Sequence, residues 1–333
     1  MRTPCLWLPF GLASSPPGQT EGFLPVSLPA SQTDTGADRV GCDRYYPRGC
    51  GQVRDRSANP AGSPLDEQQA IIDHLDRETA RLDVLIDVKK RALFLLAEKF
   101  QALVFHAVTR GLEPHRAFRA SGIPWVGKLP RHWEVWKLGH IGAVGNGSTP
   151  SRTNPAYWTN GTIPWLNSSV VNQHEVSEAD QFVTDLAVRE RHLPLVKRGS
   201  VLIAITGQGK TRGQAAVLSL DATVSQHLVY VSPDHSRLAP WFLKWTFLAA
   251  YDFLRRISDD AGGTKGALTC EDIHSLRVPV PPIKEQLQIV AHIREQASKL
   301  LELREGLEKT LSLLQERRSS LITEAVTGQL AVE

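Results

Sequence analysis

Residues 204–211 read AITGQGKT and follow the apolar run VLIAI, a glycine-rich turn after a strand-like stretch. Backbone N–H groups of such a turn can cradle phosphates. A phosphate-binding loop of that kind needs Gly where Ala204 stands and a helix after Thr211. Here Arg212-Gly213 and then AAVLSL follow, which read as a turn and a strand. The spacing therefore predicts a β-hairpin rather than a nucleotide-hydrolysing loop. Its tip offers Gln208, Lys210, Thr211 and Arg212 to a phosphate backbone or to base edges, the alternative being a hairpin with no binding role. Lys and Arg supply positive charge, and a Gln amide can pair bidentately with adenine.

Other motifs carry weaker chemistry. GGTKG at 262–266 is a flexible loop that presents Thr264 and Lys265, to solvent or to DNA. NPAY at 154–157 resembles the Asn-Pro-Pro-Tyr clamp of DNA adenine methyltransferases but lacks the second Pro. No glycine-rich methyl-donor loop follows an early strand, so methyl transfer by this chain is not expected. Trp158 and Trp165 sit beside Gly/Asn/Ser loops, yet packing is the favoured role for them, as for the other tryptophans. His74 and His292 have no Ser or carboxylate at triad-like spacing and are read as structural.

The elements that position these residues follow from the rest of the chain. It has 333 residues, 41% apolar and 22% charged, which suits an ordinary globular protein of about two domains. Cys5, Cys42, Cys50 and Cys270 form no C-x-x-C pair, so no zinc site is expected and a reducing, cytoplasmic setting fits best. The apolar stretch Leu238 to Tyr251 contains Lys244 and is shorter than the roughly 20 residues of a membrane span, so no membrane contact is expected. Residues 1–65 hold 9 Pro and 8 Gly without a hydrophobic period, and are expected to be disordered.

An internal repeat organises the remainder. Asp66–Leu112 aligns without a gap on Lys284–Leu330, with 15 of 47 positions identical, among them Glu67/Glu285, Gln68/Gln286 and Ala-Val-Thr at 107–109 and 325–327. Each copy reads as a long helix with a heptad seam. The first seam carries Ile72, Thr79, Ile86, Leu93, Phe100 and Ala107 with Leu75, Leu82, Lys89, Leu96 and Leu103. The second carries Ile293, Leu300, Leu307, Leu314 and Leu321 with Val290, Ala297, Arg304, Leu311, Arg318 and Ala325. Two such helices of roughly 60 Å can pair antiparallel as a coiled coil, although the pattern alone leaves the orientation open. Between them, residues 113–283 carry 18 Lys+Arg against 14 Asp+Glu, a net +4, while each helical region (66–112 and 284–333) is −1 (7 against 8). The runs Val201–Ile205 and Leu228–Val231 predict strands and Pro240–Arg256 one apolar helix. The expected fold class is α/β: one compact domain (113–283) flanked by two long helices (66–112 and 284–333).

Taken in order, these motifs resemble the specificity subunit of type I restriction-modification systems. SPLDEQQAIIDHLDRETARLDVLI with the following KKRALFLLAEKFQALVFHAVTRGL is similar to that family's central helical region. SGIPWVGKLPRHWEVWKLGHI, GSTPSRTNPAYW and GTIPWLNSS resemble the opening of a target-recognition domain, and LRVPVPPIKEQLQIVAHI its passage into the second helix. The resemblance covers about residues 64–331.

The resemblance implies a non-catalytic reader of double-stranded DNA. It implies docking to modification (methyltransferase) subunits and to a motor-endonuclease subunit. S-adenosylmethionine, ATP and Mg2+ would belong to those partners, and this chain would hold no cofactor or metal of its own. A full subunit has two recognition domains that read the halves of a bipartite site, whereas residues 1–65 do not resemble one. A homodimer, or pairing with a second half-specificity subunit, would restore two readers. The alternatives are a truncated non-functional remnant and a coiled-coil assembly protein without a DNA role. For DNA contact the loops are favoured: Ser148, Thr149, Ser151 and Arg152 in GSTPSR, then Gln208, Lys210, Thr211 and Arg212, then Thr264 and Lys265.

Overall fold

The computed structural model describes residues 65–114, 116–207, 209–260 and 266–329. The expected disorder of the Pro/Gly-rich segment, with Cys5, Cys42 and Cys50, falls on residues outside this description, as do Gln208, Thr264 and Lys265. The chain divides into two compact units. Among the described residues the larger unit comprises 90–309, and the smaller comprises 65–89 with 310–329.

The chain opens with α1 (Leu65–Arg110), followed by the hairpin of β1 (Phe118–Ile123) and β2 (Val126–Pro130). Then come β3 (Glu134–Lys137), α2 (Leu138–Ile141) and β4 (Gly142–Asn146). β5 (Ile163–Leu166), β6 (Glu175–Val176), β7 (Phe182–Val183) and α3 (Asp185–Glu190) precede β8 (Val201–Ala204) and β9 (Ala215–Leu218). The chain continues through β10 (Thr223–Val224), β11 (Leu228–Pro233), α4 (Pro240–Ala249), α5 (Tyr251–Asp260) and α6 (Cys270–Ser275). It closes with β12 (Arg277–Val280) and α7 (Ile283–Val326).

The centre of the larger unit is a five-stranded sheet in the order β4-β11-β8-β9-β6, antiparallel except for the β6–β9 pair. A three-stranded sheet, β10-β5-β7, and the pairs β1–β2 and β3–β12 surround it. The central strands read as continuous apolar runs because both faces of the sheet are covered. Val201, Ile203 and Ile205 of the β8 run, with Val217 and Val229, pack on Phe242, Leu243, Trp245 and Phe247 of α4. The alternate residues Leu202, Ala204, Ala216, Leu218 and Leu228 form a second core on the other side, with Val176 of the same sheet and with Leu166 and Val171. Period-2 alternation thus sorts one apolar strand into two cores.

The stretch Pro240–Arg256, predicted as one helix, is two. α4 has Pro at its first turn and is buried from Phe242 to Phe247, as befits a helix apolar on all sides. The break falls at Ala250, and α5 continues to Asp260 as an amphipathic helix with Leu254 and Ser258 inward. Lys244, the charge inside that run, is buried with Nζ 2.6 Å from His174 Nδ1 and 3.4 Å over the Trp245 ring. Burial holds the Lys244 amine well below the usual ammonium range. Burial, reinforced by the Lys244 charge, takes the His174 imidazole down to about 3.

In the larger unit, Phe100, Val104, Ala107 and Val108 of α1 share a core with Ile289, Val290, Ile293, Ala297 and Leu300 of α7. In the smaller unit, Ile71, Ile86, Leu321 and Ala325 are buried, and Arg318 of α7 makes a two-pronged ion pair with Asp83 of α1, with Nε to Oδ1 at 2.7 Å. Gly111, just past the end of α1, abuts Glu285 at the start of α7, whereas Asp83, well before the end of α1, meets Arg318 near the end of α7. The two helices therefore run antiparallel. Every residue named for the α7 seam, from Val290 to Ala325, is buried or half-buried. In α1, Leu75, Leu82, Ile86, Leu93, Leu96 and Leu103 are likewise turned away from solvent, but Ile72 is exposed. Its neighbour Ile71 takes the inward place. Among the described residues, α1 is also the helix long and apolar enough to cross a membrane by length and composition. Its buried residues Phe100 to Val108 belong to the core of the larger unit.

The start of α7 is locked to the domain by side chains of the repeat. Gln286 is fully buried; its Nε2 donates to Arg237 O and Pro281 O at 2.7 Å each, and its Oε1 accepts from Ala239 N at 2.8 Å. Glu285 Oε2 lies 2.8 Å from His132 Nε2 and 3.4 Å from Arg116 Nη1.

Candidate nucleic-acid interface

Three loops meet at one end of the five-stranded sheet. β4 ends at Asn146 opposite Val229, β11 starts at Leu228 opposite Ala204, and β8 ends where β9 begins, Ile203 opposite Ala215. The loop after β4, the turn before β11 and the β8–β9 connection must therefore share that edge. Side chains join them in series: Thr149 Oγ1 donates to Gln226 Oε1 at 2.5 Å, Gln226 Nε2 lies 3.3 Å from His227 Nε2, and His227 Nδ1 lies 2.8 Å from Thr206 Oγ1. Gln226 and His227 are exposed.

The 147–153 loop is braced from below. A Cβ on Gly147 would run into Val224 O, so only glycine lets the backbone pass this close. Trp165, 3% exposed, donates its indole N–H to Ser148 O at 3.1 Å, and Trp158 donates to Ser151 O at 3.0 Å. The two rings meet edge to face, 5.3 Å between centroids. Both tryptophans are packing residues that hold the loop. The Arg152 guanidinium lies 3.7 Å over Trp158 and 4.9 Å over Trp165, with Nη2 2.6 Å from Gln181 Oε1. Arg152 stays exposed, as do Ser151 and its hydroxyl partner Thr153. Cation–π stacking fixes a charge at the rim without neutralising it.

The hairpin tip presents its residues unequally. β8 and β9 are antiparallel neighbours and no helix follows Thr211, so the connection is a hairpin and not a phosphate-binding loop. Gly209 takes φ 78° with open space around it, a backbone state that excludes other residues by conformation alone. Lys210 is exposed and Thr211 half-exposed. Arg212 is not: its side chain is 7% exposed, ion-paired to Asp259 and donating to Gly266 O. The expectation that Arg212 is offered to DNA is corrected on this point, because an acidic partner and a carbonyl inside the domain occupy its guanidinium. Tyr251 Oη donates to Lys210 O at 2.9 Å and Arg255 Nη1 to Gly209 O at 2.7 Å. Leu268 N donates to Ile205 O at 2.9 Å, so the chain returning from the 260s lies beside the same sheet end.

NPAY is structural. Asn154 caps a short turn by accepting from Ala156 N, and Tyr157 Oη donates to Glu190 Oε2 at 2.7 Å, a bond that raises the phenol above its ordinary range. Among the described residues no group of three or more His, Cys, Asp or Glu is placed to hold a metal. Sequence reading missed Thr206, Gln181, Gln226 and His227. The signal was the polar triplet Ser225-Gln226-His227 between two apolar strands.

The family model described as the type I restriction modification DNA specificity domain matches residues 130–312. The chain belongs to this family. The specificity-domain match takes in all three loops and the start of α7. Two similar proteins are the type I restriction enzyme EcoR124I/EcoR124II specificity subunit of Escherichia coli and the MjaIX specificity subunit of Methanocaldococcus jannaschii. The first is 27% identical over 184 residues, 55% of this chain and 45% of the relative. The second is 29% identical over 178 residues, 49% of this chain and 38% of the relative. The match thus spans less than half the length of either relative. A solved structure from a study of type I R-M complex assembly superposes on 80% of this chain and 61% of its own, with a TM-score of 0.61 at 18% identity, a likeness of fold. In the specificity domain, then, Thr149, Ser151, Arg152, Lys210 and Thr211 lie on one rim with Gln226 and His227, whereas the Ser148 hydroxyl, expected to contact DNA, is buried and Arg212 lies behind the rim.

Proposed function

We propose that this chain reads one half of a bipartite double-stranded DNA site as a specificity subunit of a type I restriction-modification complex. The observation that carries the reading is the joined polar rim Thr149–Gln226–His227–Thr206, flanked by the exposed cations Arg152 and Lys210, within the specificity-domain match. Arg152 and Lys210 contact phosphates or guanine edges, and the amide and hydroxyl groups between them discriminate bases. The residue types support this: phosphate contacts position, and base contacts specify. Thr264 and Lys265 of the GGTKG segment add further contacts in this reading.

The chain is non-catalytic in this reading. Its antiparallel helices space the reader and dock modification subunits, which use S-adenosylmethionine to methylate adenine. A motor-endonuclease subunit supplies ATP- and Mg2+-dependent translocation and cleavage. The assembly works in the cytoplasm. This recognition domain reads one half-site, and a second recognition domain, wherever it is carried, reads the other.

The test is genome-wide adenine methylation in cells that express this chain with its neighbouring modification subunit. A split, symmetric methylated motif is the result for a homodimer. A split, asymmetric motif means a different second reader. Absence of methylation, despite a co-purifying complex, would sink the reading in favour of a remnant that docks its partner without placing it on DNA.

A further inference from the structure

Helix α5 makes three separate attachments to the β8–β9 tip. Tyr251, at its first position, donates to Lys210 O; Arg255, one turn on, donates to Gly209 O; Asp259, one turn further, pairs with Arg212. The spacing 251, 255, 259 places the three on one helical face. The backbone carbonyls they hold flank or belong to the residues whose side chains point outward, Lys210 among them. Arg212 closes the arrangement by donating to Gly266 O, which ties the tip to the chain returning after the 260s. Backbone bonds close the base of the tip, Gly213 N to Ala204 O at 2.8 Å and Gln214 N to Thr211 O at 3.0 Å, while Gly207, Gly209 and Gly213 all take positive φ, so three of its joints are glycines with the widest conformational choice.

We propose that α5 is a clamp that sets the reading geometry of the tip, with Tyr251, Arg255 and the Arg212–Asp259 pair as positioning residues. None of the four reads a base in this scheme. They convert a glycine-rich loop into a fixed presentation of Lys210 and Thr211. A base contact made by a side chain about 1 Å out of place loses most of its discrimination, while a phosphate contact tolerates the shift. The clamp therefore governs specificity more than affinity. This inference rests on the DNA reading proposed above.

The test compares the full chain with Tyr251→Phe and Asp259→Asn in two measurements. One is selection from a random duplex library. The other is the salt dependence of binding to a single scrambled duplex. Tyr251→Phe removes one hydroxyl and keeps the ring; Asp259→Asn removes the charge that holds Arg212. A melting curve on each variant reports whether the fold persists. Both variants are expected to lose roughly ten-fold discrimination at one or two adjacent positions of the motif, the scale of one good base contact. The salt slope is expected to stay unchanged, because the number of phosphate contacts does not change. Arg212→Lys should fall between wild type and Asp259→Asn, since a lysine restores the charge but not the two-pronged hold. A motif as sharp as wild type in both Tyr251→Phe and Asp259→Asn overturns the clamp and leaves the DNA reading intact. A wild-type chain that selects no motif and shows no salt-dependent binding overturns the DNA reading, and the clamp with it.

Discussion

Gln286 Oε1 accepts the backbone N–H of Ala239 at 2.8 Å, joining α7 to the strand-to-helix passage that starts α4. The same carboxamide donates to Arg237 O and Pro281 O, so one fully buried side chain satisfies three backbone groups at the base of the recognition domain. Replacing it with alanine leaves those groups buried and unpaired. Gln286→Ala should cost about 2–4 kcal/mol, given about 1–3 for each orphaned group and imperfect additivity. Urea unfolding of the two proteins measures this, and a difference within about 0.5 kcal/mol would remove Gln286 from the role of lock.

Arg152 makes a second, different prediction. Its guanidinium is stacked on Trp158 and held by Gln181, so its charge is placed but not cancelled. Arg152→Ala should weaken DNA binding by about 1–3 kcal/mol. Arg152→Lys should restore little, because an ammonium neither stacks as a plane nor offers a fork. Titration of a duplex carrying the selected motif at fixed salt decides it; full recovery by lysine would show a simple phosphate contact.

The His174–Lys244 pair predicts acid sensitivity. Burial holds His174 at about 3 in the folded chain against 6.5 for the free side chain. Between these values the unfolded chain binds the extra proton, so stability falls as pH drops from about 6.5 towards 3. The slope should approach about 1.4 kcal/mol per pH unit. Melting temperature followed from pH 7 to 4 should fall more steeply in wild type than in His174→Gln. Equal slopes would assign the acid loss to other groups.

The smaller unit separates burial from charge. Asp83 and Arg318 are paired but partly exposed, and Ile86 beside them is buried. Asp83→Ala should leave the melting temperature nearly unchanged, as pairs in contact with water contribute little. Ile86→Ala should cost about 2–4 kcal/mol through lost burial and the cavity left behind. The reverse ranking would mean that the ion pair, not the seam, holds the two helices together there.

Much of the fold is legible in residue order. The runs VLIAI and LVYV read as strands because a sheet covered on both faces shows no polar alternation, and both are strands. The seam from Val290 to Ala325 reads as a helix face because its period is 3.5, and every member is turned from solvent. Pro240–Arg256 misled because uniform apolarity marks burial but not where a helix bends; the break at Ala250 carries no Pro or Gly. Ile72 misled because a heptad frame tested on neighbours one apart cannot tell Ile71 from Ile72 at a helix start.

The candidate site divides the same way. Sequence by itself determined the paired helices, the apolar strands, the hairpin at 204–215 and the loops rich in Ser, Thr and Gly, all of which depend on neighbours within a few turns or strand lengths. Tertiary structure alone decided which of those loop residues face outward. Arg212 and Lys210 are two residues apart on one tip, yet Arg212 points inward because Asp259, 47 residues later, stands beside it. Gln226 joins Thr149 across 77 residues for the same reason. A side chain's direction at a loop is set by partners that only the closed sheet brings within reach, and local periodicity holds no record of them.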